Sequence, residues 1–168
     1  MDLSAFIKTK PLILMDGATG TQLALAGLEM GGQNCIFHAE EVLAVHKKYA
    51  EIGCDILTTD TLTMNRISIE THGVEVDVKA VNKLGATIAR SAASKEQYVL
   101  GDISSTGQLL EPYGEYSEEQ FYTTFMEQAD YLLVGRVDGF IIETMIDSRE
   151  GLCAARSLAT QPKNLLGP

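Results

Sequence analysis

Positive charge is scarce in this chain. Thirteen lysines and arginines stand against 23 aspartates and glutamates in 168 residues, a formal net charge of −10 at pH 7. A nucleic-acid binder needs a basic face to neutralise phosphates, so the balance argues against nucleic acid, and an anionic membrane surface is a poor partner for the same reason. Cysteine is also sparse. Cys35, Cys54 and Cys153 are odd in number and show no Cys-x-x-Cys spacing, which argues against a disulfide scaffold and for a reducing cytoplasm. No apolar run approaches the roughly 20 residues of a membrane span. The first ten residues lack a long apolar stretch of the signal-peptide kind. The nucleotide fingerprints GxGxxG and GxxxxGK[ST] are missing, so Gly17-Ala-Thr-Gly20 is a weak phosphate loop. His38, His46 and His72 share no HxH or HExxH spacing, and structural roles are expected for all three.

Hydrophobic residues make up 45% of the chain, enough to bury the core of one domain. Apolar runs at 11–16, 55–60, 97–103 and 137–143 predict four strands. Between them lie helical patterns. Val42, Val45, Tyr49 and Ile52 recur at helical spacing before Gly53. Residues 65–72 predict a short helix, and Asp77 is placed to cap a longer one running to about Lys95. Ser117-Glu-Glu-Gln120 spells a capping box, and residues 148–160 predict a last helix. Residues 161–168 predict an irregular tail. Strands alternating with helices give an α/β chain with a parallel sheet buried on both faces.

Each predicted strand ends on or beside an acid: Asp16, Asp60, Asp102 and Glu143, separated by 44, 42 and 41 residues. Units of that length suggest a (β/α)8 barrel or a doubly wound sheet, and in both the carboxyl ends of the strands face the ligand. An isolated buried carboxylate is costly unless it is paired or used. A carboxylate after a strand also often caps the next helix. Asp102 fits that structural role best, because Ser104, Ser105 and Thr106 offer it local partners. Asp16, in a glycine turn, and Glu143, on the most apolar strand, fit a functional one. Eight such units need roughly 330 residues, so four amount to half a barrel, with two open sheet edges that invite association.

Four segments, LMDGATGTQL (14–23), VHKKYAEIGCDILTTDTL (45–62), VLGDISSTGQLLEPYG (99–114) and VDGFIIETMIDSREGLCAAR (137–156), together resemble the homocysteine S-methyltransferase domain of cobalamin-dependent methionine synthase and betaine–homocysteine methyltransferase. The likeness covers about residues 9–160. It implies the first four strands of a (β/α)8 barrel that binds homocysteine at its mouth and holds the substrate sulfur on zinc. A thiol titrates near about 8.5, and a metal ion favours the nucleophilic thiolate. Carried over, the acids that hold the substrate ammonium are Asp16 and Glu143, with Gly17 and Asp60 also in the substrate site. The family's zinc cysteines follow strands six and eight and have no counterpart in these 168 residues, so no metal ligand is assigned here. Of the three cysteines only Cys35, near a position where relatives carry asparagine, is expected on the mouth side. Asp60 replaces an asparagine usual in relatives, which points to altered substrate preference.

Three functions follow. The first expectation is the N-terminal, substrate-binding half of a homocysteine methyltransferase, either a truncated product or a half that a second chain completes, with methyl-cobalamin on a corrinoid protein or another donor supplying the methyl group. Alternatively the chain is a non-catalytic scaffold that forms a homodimer. A third reading is a corrinoid-pathway component acting on a different small methylated compound.

Overall fold

The computed structural model describes residues 3–161. Except for Gln161, the expected irregular tail lies outside them. Three apolar runs form strands β1 (Ile56–Thr58), β2 (Tyr98–Ser104) and β3 (Gly139–Glu143), all parallel and ordered β1-β2-β3. Thr58 pairs with Leu100, and Ser104 with Glu143. Parallel neighbours need long crossovers, and helices supply them. Eight helices occur among the described residues: α1 (Leu3–Thr9), α2 (Thr19–Leu25), α3 (Asn34–Phe37), α4 (Ala39–Ile52), α5 (Arg66–His72), α6 (Val78–Ala92), α7 (Glu118–Val134) and α8 (Ser148–Ala159). The chain is thus mixed α/β with a parallel sheet.

The expected strand at 11–16 is reduced to a single bridge, Met15 to Ile56. Asp16 N donates to Ile56 O at 3.0 Å, and Leu14 O accepts from Asp55 N at 2.7 Å and Ile56 N at 3.3 Å. Pro11 lacks a donor, and Leu12 and Leu14 are 77% and 48% exposed, with no strand beyond them among the described residues. The four expected strands are therefore three and a remnant. Helices α1 and α3 were not legible in the sequence.

The predicted caps form: Asp77 Oδ1 accepts from Ala80 N at 2.7 Å, and the Ser117–Gln120 capping box closes in both directions. Asn65 adds an unpredicted cap, its Oδ1 accepting from Ser68 N at 2.9 Å. Gly53 ends α4 with φ 95°, the left-handed conformation that glycine adopts without strain. The acidic pair Glu40 and Glu41 lies in the first turn of α4, where it complements the helix dipole.

Alternation along the strands decides which face is covered. Val99 and Ile103 of β2 pack with Phe121, Phe125 and Leu132 of α7 and Cys153 and Ala154 of α8. Each large side chain buried there contributes about 1.5–3 kcal/mol. A second cluster joins Leu23, Cys35, Val42, Val45, Val81 and Ile88. Leu100, Asp102 and Ser104 point to the opposite face. Across the amino ends of the strands runs α1. Phe6 lies against Tyr98, the first residue of β2, at 4.8 Å between ring centres. Lys10 pairs with Asp55 just before β1. Leu3 sits over Gly139, the first residue of β3, where an added Cβ would come within 2.9 Å.

Candidate functional site

The carboxyl ends of the strands gather the acids on the face away from α7 and α8. Past the Thr58–Leu100 pair the Thr59 and Thr61 hydroxyls hold the Asp102 backbone, with Asp60 between them in the chain, and the charge of Asp60 bears on Asp102. Ser104 and Glu143 come next along the same face. Asp16 joins from the edge remnant. Its Oδ2 accepts from the Thr58 backbone N–H at 2.8 Å, taking the ladder position that a longer first strand would fill.

Burial divides these four acids. Asp60 and Asp102 are 6% and 2% exposed, whereas Asp16 is half-buried and Glu143 exposed. The expected dry strand tip at Glu143 is therefore corrected: the buried carboxylates stand behind it. Burial raises the Asp16 carboxyl to about 6, opposed by the Thr58 hydrogen bonds and reinforced by the charge of Glu143. Asp60 is pushed up to about 7 by burial. Asp102 is held well above the carboxylate range by burial first, then by Glu143 and Asp60. Asp60 Oδ2 and Asp102 Oδ1 have no hydrogen-bond partner.

The local partners expected for Asp102 are engaged elsewhere. Ser104 Oγ accepts from Thr63 N at 2.7 Å. Ser105 Oγ donates to Glu150 Oε2 at 2.9 Å, and the Thr106 hydroxyl donates to Glu150 Oε1 at 2.8 Å. The Asp102 backbone is tied to Thr59 and Thr61, but its carboxyl is left over. Strain accompanies the site. Thr63 and Thr144 have φ of 58° and 50° and follow Asp60 and Glu143 by three residues and one. A β-branched residue in that region is an outlier, and such outliers cluster at functional sites.

A sequence profile of the homocysteine S-methyltransferase family matches residues 13–166. The chain belongs to that family. Solved structures of the homocysteine methyltransferase MmuM from Escherichia coli resemble it. The metallated form is 20% identical, with TM-score 0.78 over 96% of this chain and 63% of that one. The oxidised form is 20% identical, with TM-score 0.79 over 96% and 62%. At such identity the likeness is one of fold. This chain spans less than two-thirds of the length of either.

The zinc that the resemblance implies finds no ligand among the three thiols. Cys35 lies beside the acids, but it is fully buried and its Sγ–H donates to the Asp60 carbonyl at 3.2 Å. Burial, then the charge of Asp60, pushes this thiol up, away from the thiolate a metal requires. Cys54 precedes β1 and bonds to Met15 O, and Cys153 lies in the core under α8. Among the described residues no three His, Cys, Asp or Glu side chains gather in ligand geometry. His46 is fully buried, with both ring nitrogens unpartnered and its pKa lowered to about 4 by burial, while His72 contacts Ser68 O at 2.9 Å within α5. These residues do not fit zinc.

The face can instead receive a cation. It carries four carboxyl groups, and the charges that bear on Asp102 are both negative. Ion pairing with an incoming ammonium would offset the desolvation of both partners. Two functional details escaped the sequence. One is Glu150, whose spacing with Cys153, Ala154 and Ser157 on the buried stripe of α8 is a readable signal. The other is the Thr58 amide, which carries no side-chain signal.

Proposed function

We propose that this acidic face binds homocysteine by its ammonium group. Asp16 and Glu143 are the direct partners, Asp60 lies behind them, and Gly17 lies at the rim. The chain then forms the substrate-binding part of a (β/α)8 homocysteine S-methyltransferase, which carries a methyl group to the substrate sulfur in methionine synthesis in the cytoplasm. The observation that carries this reading is the Asp16 carboxylate, fixed by Thr58 N–H and within electrostatic reach of Glu143 across the mouth. Raised to about 6, Asp16 is mostly ionised at pH 7, as an ammonium partner requires.

The homocysteine thiol titrates near about 8.5, and nothing at this face lowers that value. We assign the thiol-activating zinc, with its cysteines, to polypeptide other than the described residues, and the methyl-cobalamin or other donor to a partner such as a corrinoid protein. Calorimetry with L-homocysteine tests the binding reading. The chain is expected to bind it, and Asp16→Asn and Glu143→Gln each to weaken binding about tenfold or more, the loss of one charge-assisted contact. Unchanged affinity in both variants would overturn the assignment.

A second reading has its own observations. Leu12 and Leu14 at one sheet edge and Ile146 beyond the other are exposed, as in a half barrel that is completed by a second chain or by another copy of itself. Buried Asp60 also favours a small methylated substrate other than homocysteine. Light scattering that shows a stable dimer with no homocysteine affinity would favour the scaffold.

A further inference from the structure

Asp60 is buried, yet its Oδ2 has no hydrogen-bond partner, so the place of this carboxyl is set by the backbone turn that carries it. That turn, 59–65, lies past the β1 ladder, whose last bond runs from Thr59 N to Leu100 O at 2.9 Å. Beyond it, side chains take over from backbone. Thr59 Oγ1 accepts from Asp102 N at 3.0 Å, and the Thr61 hydroxyl donates to Asp102 O at 3.1 Å. The two hydroxyls are 2.7 Å apart, and with the Thr61 proton on Asp102 O, Thr59 is the donor between them. The turn's own carbonyls are held from the helices. Cys35 of α3 donates to Asp60 O at 3.2 Å, Asn82 of α6 to Met64 O at 2.7 Å, and Gln128 of α7 to Thr61 O at 3.4 Å. Gln128 Nε2 also reaches Asp102 O at 3.4 Å and Asn82 Oδ1 at 3.1 Å. Asn82 and Gln128 are fully buried, and Gln128 Oε1 is left without a donor. A buried amide with one unsatisfied end costs stability, so packing alone does not account for it.

We propose that Gln128 is a positioning residue for the acidic face: from the helix side, and without touching the ligand, it clasps Thr61 O, Asp102 O and Asn82 Oδ1 together, fixes the turn that carries Asp60 against β2, and so sets the affinity of the face for an amino-acid ammonium. The link to affinity rests on the reading of the face as a homocysteine site, whereas the fixing of the turn does not. Cys35 and Asn82 each reach a single carbonyl of the turn, whereas Gln128 joins the turn, the strand and α6 at one point. The turn also has somewhere to go if released. Thr63, within it, has φ 58°, a conformation that persists only where the surroundings over-determine it. On its inner side the turn is tightly enclosed. A Cβ on Gly85 would lie 2.7 Å from Thr61 Cγ2, and one on Gly32 2.8 Å from Asp60 O. A binding group is held precisely only when its supports are themselves locked, and for Asp60 those supports are the carbonyls that Gln128 and its neighbours hold.

The test is a double-mutant cycle with a ligand-free control. Gln128→Met keeps the length of the side chain and removes the amide. Gln128→Asn, whose amide is one methylene too short for the clasp, serves if the first fails to fold. Calorimetry with L-homocysteine is run well below the unfolding temperature. Gln128→Met is expected to weaken binding about five- to tenfold in the unmodified chain, and less than about twofold in an Asp60→Asn background, because its effect runs through Asp60. A merely structural role gives the same factor in both backgrounds. That result, or unchanged affinity in the single variant, would overturn the proposal. Without ligand, carboxyl-carbon NMR of aspartate-labelled chain follows Asp60, whose midpoint burial holds up to about 7. A loosened turn admits water, so Gln128→Met is expected to lower that midpoint by about one pH unit. An unmoved midpoint in a folded variant would overturn the positioning. If the unmodified chain binds no L-homocysteine, the ligand-site reading falls and the link to affinity with it, and the NMR midpoint decides whether Gln128 fixes the turn.

Discussion

The backbone amide and the hydroxyl of Thr106 both donate to Glu150 Oε1, at 2.7 and 2.8 Å. Ser105 Oγ and Ile146 N complete the shell on Oε2 at 2.9 and 3.3 Å. One fully buried side chain on α8 thus ties the loop after β2 to the loop after β3, the two loops that rim the acids. Glu150→Ala leaves these donors without an acceptor, and a loss of about 3 kcal/mol is expected in urea unfolding. Glu150→Gln keeps part of the shell and should cost about half as much.

Arg90 performs a similar task at the other end of the strands. Its Nη1 meets Asp138 Oδ2 at 2.8 Å and its Nη2 meets Gln97 O at 2.8 Å, while Asp138 Oδ2 also accepts from Val99 N at 2.7 Å. The pair is partly exposed, which limits its worth. Arg90→Met is expected to lower stability by about 1–2 kcal/mol in the same measurement.

Helices α6 and α7 meet where Gly135 ends the second of them. A Cβ there would sit 2.4 Å from Ala86 Cβ and 2.7 Å from Lys83 O. Gly135→Ala is expected to cost about 1–3 kcal/mol by overpacking, read as a lower urea midpoint with little change in slope.

Acid affects this fold in two opposed ways. His46 titrates at 6.5 unfolded and about 4 folded, so between those values only the unfolded chain takes the proton, and stability falls as pH drops through the window. Asp60 titrates at 3.8 unfolded and about 7 folded. The folded chain holds that proton, and stability falls as pH rises from 3.8 toward 7. Asp60→Asn is accordingly expected to stabilise the chain at pH 8, by about 2 kcal/mol, with little effect at pH 3.5. His46→Leu is expected to help only below about pH 6. Thermal melts across pH decide both.

Much of this architecture could be read from side-chain periodicity. Val42, Val45 and Ile52 outlined α4, although Ile52 proved exposed, and Asp77 and Ser117 announced their helices because caps are local chemistry. The first strand was overread, because an apolar run at 11–16 says nothing of whether a neighbour will pair with it. The opposite error befell α1, whose place depends on Tyr98 and Gly139 far along the chain. At the site, the spacing put Glu143 at the end of β3, while Asp102 lies within β2, Asp60 two residues past β1 and Asp16 beside a single bridge. Which of them would be buried was not legible. Asp102 lost its expected serine and threonine partners to Glu150 and Thr63, which lie 45 and 41 positions from Ser105 and Ser104, and local sequence cannot show such competition.

The first helix also shields the starts of all three strands. Leu3 lies over Gly139, Phe6 against Tyr98, and Lys10, just past the helix, holds Asp55. None of the helix's own residues is buried, so hydrogen exchange is expected to open this cover before the sheet beneath it.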